Sequence, residues 1–173
     1  MPAPPNEFFL RPIKTVRQNF MEQKKAYRSF QFENVVAWTS QFRGTLSASE
    51  HPNVEVGNPP VFKGTPDVWC PEDLLIGALN ACLMLTFVYQ MQRRELEVVA
   101  YESSAQGALE HHDGKHRVTR ILVQPRISLK SGHDTQAARE AMKDTVDSCM
   151  ISNSILATVK VDPHFDVPLK PGQ

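Results

Sequence analysis

The stretch from Pro71 to Arg94 constrains this chain more than any other. It opens "PEDLLIGALNACLML" and stays apolar on nearly every side as far as Val88. Pro71 suits the first position of a helix, and Glu72 and Asp73 suit the positive end of its dipole. Arg93 and Arg94 suit the negative end. A helix apolar all round belongs at the centre of a fold rather than at its edge. Its most apolar run, Leu74 to Val88, is shorter than the roughly 20 residues a membrane span needs.

The rest of the chain arranges itself around that helix. A proline-rich start leads into residues 15–28, which predict a short polar helix. Residues 30–42 predict a strand with Val36 and Trp38 alternating, Arg43-Gly44 a turn, and residues 45–51 and 53–57 two further strands. Residues 57–71, dense in Gly and Pro, predict a loop. Beyond the central helix, 96–110 and 117–130 predict a hairpin about "HHDGKH", 133–148 a second helix, "CMISNSIL" a short helical turn, and 157–167 one last strand. Strands, helix, hairpin, helix and strand in this order predict an α+β domain over residues 30–173, with residues 1–29 as an N-terminal extension.

Charge narrows the partners. Lys+Arg and Asp+Glu both number 19, so the formal net charge is zero, and nothing steers the chain toward nucleic acid or an anionic membrane. Three cysteines in 173 residues make no disulfide framework. With prolines where the apolar core of a secretory signal would stand, the expectation is a soluble, cytoplasmic protein.

Within the central helix, Glu72 and Cys82 lie ten positions apart (82 − 72). On one helix that separation is a rise of about 15 Å, so the two side chains of one copy cannot touch. They meet if two copies pack antiparallel about a two-fold axis that crosses at position 77. Gly77 stands there, Ala78 follows, and Ala81 lies one turn on. Small residues at a crossing let two backbones approach, so the spacing predicts a two-fold helix pair with a site at each end built from both chains.

A carboxylate beside a thiol raises the thiol pKa and hinders a nucleophile, unless a cation lies between them. Arg suits that place, because its planar fork serves two partners and never deprotonates. Arg43, just after Trp38, is the candidate. A second thiol, Cys149, stands where one helix ends and another turn begins, and a helix N-terminus favours the thiolate. Two such thiols suit a reversible couple, although spacing alone does not say whether they meet.

At these residues the sequence resembles the OsmC/Ohr family of thiol peroxidases. "PEDLLIGALNACLM" and "CMISNSI", with the hairpin and helix between them, carry the resemblance, which spans roughly residues 30 to 168. It implies an intertwined homodimer of α+β subunits, with two central helices and active sites at the interface. It implies that Cys82 is the peroxidatic thiol, which attacks an organic hydroperoxide and becomes a sulfenic acid. It implies that Cys149 resolves this to a disulfide, that a dithiol of lipoyl type reduces the disulfide, and that Glu72 orients Arg43. No metal or flavin is required.

Blander readings stand beside these. Cys70 packs at the foot of the helix, and His111, His112 and His116 are the solvated tip of a hairpin rather than a metal site. Phe87 fills the core, while Phe42 and Trp69 line a pocket or fill core. The rival function is a non-catalytic OsmC-like stress or binding protein whose thiols are structural or sense oxidation. A Cys–His hydrolase is poorer, since no histidine lies near either cysteine in sequence.

Overall fold

The long hairpin is the frame on which the rest is built. In the computed structural model, which describes residues 28–166, strands β4 (Val98–His112) and β5 (Lys115–Leu129) run antiparallel along their whole length. Asp113 and Gly114 join them with φ of 51° and 76°, the paired left-handed geometry of a two-residue hairpin turn. Along β5, Ile121, Val123, Ile127 and Leu129 turn inward and are buried, while Gln124 and Arg126 face water. The same strand accepts β6 (Thr158–Val161) and β7 (His164–Asp166) in parallel on its other edge. The single last strand expected over 157–167 is therefore two pieces. Pro163, which has no N–H to donate to a ladder, stands between them.

Two helices cover one face of this sheet. Helix α1 runs from Pro71 to Gln92 and packs on β4 and on α2, which runs from Thr135 to Ser148. Leu79, Leu83 and Phe87 form the buried stripe of α1, each worth about 2 kcal/mol in apolar burial. The helix lies close to the sheet at Gly107: a Cβ there would stand 2.5 Å from Cδ1 of Ile76. Phe87, Met91, Ile127 and Met142 make one part of the core, and Leu79, Leu83, Ile121 and Val123 the other. The arrangement is α+β, as the order of elements implied.

A second, smaller sheet has strands β1 (Val35–Ser40), β2 (Arg43–Ser47) and β3 (Val54–Gly57), all antiparallel. It is joined to the start of α1 through Trp69, whose N–H donates to Glu55 O (3.2 Å) and whose carbonyl accepts from Gly57 N (2.9 Å). All of β1 is exposed, with Trp38 at 76%.

Four expectations are corrected here. The turn before β2 falls at Gln41-Phe42, not at Arg43-Gly44: Gln41 takes the left-handed conformation (φ 45°) and its carbonyl accepts from Trp38 Nε1 at 3.0 Å. Arg93 and Arg94 lie just past the last turn of α1, where Arg94 donates to the carbonyl of Gln90 at 3.0 Å. Helix α1 is not enclosed within one chain. Opposite its buried stripe, Leu75, Ala78, Ala81, Leu85 and Tyr89 form an exposed apolar stripe. At 22 residues α1 is also long and apolar enough to cross a bilayer, although its Leu74–Val88 core run read as too short. The short helix expected over 15–28 lies outside the described residues apart from its last position.

Candidate active site

Cys82 stands midway along α1, one position before the buried Leu83, and is half-buried. It packs against Cys149, which is fully buried at the C-cap of α2. The crossover from α2 to β6 brings the two thiols together, because α1 and that crossover share the same face of the hairpin sheet. After Cys149 the chain tightens into a 3-10 turn over Ser152–Ser154, and Ser152 N donates to Cys149 Sγ at 3.4 Å.

The electrostatics of the pair divide the two thiols. Burial is the largest influence on Cys82 and works against its anion. It is outweighed by hydrogen bonds from the backbone N–H of Ile151, from the Cys149 thiol, from the Thr86 hydroxyl and from the backbone N–H of Met150, so the Cys82 pKa falls below the ordinary thiol value. Burial pushes Cys149 the other way, and the neighbouring Cys82 adds to the rise. This corrects the expectation that a helix boundary would favour the Cys149 thiolate: Cys149 ends α2 rather than starting a helix, and the N–H groups of the following turn serve both sulfurs. Thr86, four residues after Cys82 and so on the same helical face, escaped the sequence reading, although that spacing was a usable signal. The backbone donors at Met150 and Ile151 had no signal in side-chain identity.

An open groove of about 460 Å³ adjoins this centre, lined by Leu85, Thr86, Tyr89 and Met150 among others. A larger polar groove of about 540 Å³, lined by Ser103, Gln124, Asp162 and His164 among others, includes neither thiol nor any of their donors.

The other end of α1 is arranged differently. Cys70 caps the helix, its Sγ accepting from Asp73 N at 3.4 Å, and burial pushes its thiol pKa up. Glu72 lies beside Cys70, and its Oε2 is buried with no hydrogen-bond partner. Arg43 stands on the neighbouring β2, opposite Gly57, whose N–H bonds to Trp69. A Cβ on Gly57 would come within 2.9 Å of Val68 Cγ2, so only glycine lets the loop before α1 close down beside Arg43. Arg43 does not reach a thiol. Its Nη2 bonds both carboxylate oxygens of Asp67, at 2.5 and 2.6 Å, and Thr65 Oγ1 at 2.6 Å. The structure therefore brings Cys82 to Cys149, and leaves Glu72 at the first turn of the helix, ten residues and about 15 Å along it from Cys82, with Arg43 on β2 held by Asp67. Neither Asp67 nor Thr65 was anticipated.

At the hairpin tip, His111 and His116 meet edge to face with centroids 5.1 Å apart. Among the described residues no three His, Cys, Asp or Glu side chains gather as a metal site would require.

The family model "OsmC-like protein" matches residues 64–164, more than half of the chain. The Bacillus subtilis protein YmaD, itself uncharacterized, is 28% identical over 102 residues, which is 57% of this chain and 68% of that protein. An OsmC-like protein of unknown function from Vibrio cholerae superposes with a TM-score of 0.71 at 19% identity, covering 81% of this chain and all of that one. An organic hydroperoxide resistance protein from Elizabethkingia anophelis, solved with thiocyanate bound, gives 0.65 at 14% identity over 82% of this chain and 99% of its own. Likenesses at these identities carry the fold.

Proposed function

The chain belongs to the OsmC-like family, and from that premise we propose that it is a thiol peroxidase that reduces organic hydroperoxides through Cys82 and Cys149. The observation that supports this most is the apposition of the two thiols, with hydrogen-bond donors gathered on Cys82 and burial weighing on Cys149. The Cys82 thiolate attacks one oxygen of the O–O bond. A sulfur–oxygen bond forms, the O–O bond breaks, and the leaving alkoxide takes a proton and departs as an alcohol. Sulfur supplies the two electrons. The Cys149 thiol then attacks the sulfenic sulfur, water leaves, and a disulfide closes. A dithiol of lipoyl type returns both sulfurs to thiols by exchange and is itself oxidised to a cyclic disulfide. The apolar groove beside Thr86 and Met150 suits an alkyl hydroperoxide better than hydrogen peroxide.

The working unit is a homodimer in which Glu72 and Arg43 of one copy serve Cys82 of the other. Three features support it: the exposed apolar stripe on α1, the exposed strand β1, and Gly77, where a Cβ would meet nothing within 4 Å in a single chain. Stripe and strand together leave Val35, Val36, Trp38, Leu85 and Tyr89 in water unless a second copy covers them. We place the protein in the cytoplasm, where its three free thiols stay reduced between turnovers.

One observation favours the rival reading of a non-catalytic redox sensor or stress protein: Arg43 rests on Asp67 and not beside a thiolate. Titration of the reduced protein with cumene hydroperoxide, followed by intact mass and peptide mapping, decides. Rapid loss of two thiols per chain with a Cys82–Cys149 disulfide supports the peroxidase. Slow oxidation, or a disulfide through Cys70, favours the sensor.

A further inference from the structure

Two carboxylates stand near the first turn of α1, and only one of them holds the Arg43 guanidinium. Asp67 holds it through both oxygens, with Thr65 as a third contact on the same nitrogen. The Glu72 carboxylate interacts with the Cys70 thiol, whose pKa it helps to raise, and its Oε2 is buried with no hydrogen-bond partner. The separation between the two is bridged by Arg43's own surroundings. A cavity of about 250 Å³ is lined by Arg43, Trp38 and Phe42 on one side and by Pro71, the residue before Glu72, on the other. Backbone bonds between Gly57 and Trp69 tie β3, beside Arg43, to the residues that lead into α1.

The two carboxylates differ in kind. The Asp67–Arg43 pair is wet, with side chains 60% and 35% exposed, and an exposed pair adds little to stability because water screens it. A carboxylate oxygen buried without a donor carries a desolvation penalty that a cation relieves. Arg43 can therefore leave Asp67 at small cost, and Glu72 gains by receiving it. The carboxyl of Asp67 is held down at about 2, through its hydrogen bonds to Arg43 first and to Thr65 second, so it stays ionised and able to hold Arg43 at any working pH.

We propose that Asp67, with Thr65, is a parking site for Arg43: a positioning residue that competes with Glu72 and keeps the active-site cation withdrawn until the Cys82 site draws it in. The inference rests on the peroxidase reading above and adds a control to the same site. Asp67 touches neither thiol nor substrate. It acts only by setting the fraction of time that Arg43 is available, and the rate of Cys82 chemistry scales with that fraction.

The test is Asp67→Asn, alone and combined with Glu72→Gln. Two quantities are read on each protein: the midpoint of the pH dependence of Cys82 alkylation by iodoacetamide, located by peptide mapping, and the single-turnover rate of Cys82 oxidation by cumene hydroperoxide. Asp67→Asn removes the charge at an exposed position with nearly unchanged shape. It lowers the alkylation midpoint and raises the oxidation rate roughly three- to tenfold, as release of a mostly withheld cation requires. Adding Glu72→Gln erases both gains, which a merely structural role for Asp67 would not produce. An unchanged midpoint, a slower reaction in Asp67→Asn, or a gain that survives loss of Glu72 overturns the proposal. If unsubstituted protein shows no hydroperoxide-driven oxidation at Cys82, it is the peroxidase reading that falls, and the alkylation midpoint still judges Asp67.

Discussion

Midway along α1, Cys82 meets everything it is matched with inside its own chain: Cys149, the N–H groups of Met150 and Ile151, and the Thr86 hydroxyl. At the first turn of the same helix, Glu72 keeps an unpartnered oxygen while the nearby Arg43 is taken by Asp67. The two ends differ in what supports them. The thiol centre stands on the buried stripe of Leu79, Leu83 and Phe87, which the hairpin sheet covers. The acid end leans on a sheet whose first strand is exposed throughout. A site half of which is finished by one chain and half of which is not is what a two-fold assembly would leave when its copies are separated.

The largest expected effect breaks the thiol end. Cys82→Ser lowers turnover of cumene hydroperoxide at least about a thousandfold, since a serine hydroxyl is not ionised at neutral pH and cannot replace a thiolate. Cys149→Ser leaves one stoichiometric oxidation per chain and then stops, which a coupled peroxide-consumption assay records. A catalytic Cys82→Ser protein would end the reading outright.

The next test asks whether the two ends belong to different chains. Arg43→Met alone lowers the rate of Cys82 oxidation roughly ten- to a hundredfold, through loss of a charge-assisted contact. Mixed and refolded with Cys82→Ser chains, it recovers part of the activity, because a heterodimer then holds one site with neither lesion. No recovery means that Arg43 and Cys82 act within one chain, and the comparison between the two ends loses its meaning.

Gly77→Ala has opposite signs in the two pictures. In an isolated helix with open space around it, alanine adds about 0.5–1 kcal/mol of stability. At a two-fold crossing the added methyls collide. The expected outcome is a chain that still folds but whose dimer dissociates at higher concentration, as read by analytical ultracentrifugation.

Smaller effects sharpen the contrast. The Cys82 pKa is lowered and the Cys149 pKa raised, so alkylation of Cys82 rises with pH and levels off before that of Cys149 begins. Thr86→Val slows Cys82 alkylation roughly two- to fivefold by removing one donor to the thiolate. The smallest effect is that of the exposed Asp67–Arg43 pair on stability. The Asp67 pKa is lowered from an ordinary 3.8 to about 2 in the folded chain, so whatever its pairing contributes is present above about pH 4 and fades as pH falls toward 2. Unfolding at stepped pH checks this: the stability difference between the unsubstituted protein and Asp67→Asn is full above about pH 4 and vanishes as pH falls toward 2.

What the sequence told in advance follows from which interactions are local. The hairpin was legible because Asp-Gly between alternating strands has one strongly favoured geometry, and α1 because its cap, acids and apolar run agree. The turn before β2 was misplaced because Gln41, an ordinary residue, adopts the left-handed conformation. Glu72 and Cys82 could be singled out from spacing along one helix. That Cys149 reaches Cys82 depends on the crossover from α2 to β6, a long-range feature that no local pattern encodes. The hold of Asp67 on Arg43 was hidden for the same reason, since it spans 24 residues across a loop rich in Gly and Pro.

The meeting of Cys82 with Cys149 has a consequence for the chain as a polymer. A bond between them ties off 67 residues (149 − 82), including the whole hairpin and α2. Closing a loop of that length removes about 4 kcal/mol of unfolded-state freedom in the chain-entropy account. The oxidised protein would then be the harder one to melt, and each catalytic cycle would alternately tighten and relax the domain. The reductant must supply the free energy to reopen that loop, so its choice would be set by the elasticity of the fold as much as by the reactivity of sulfur.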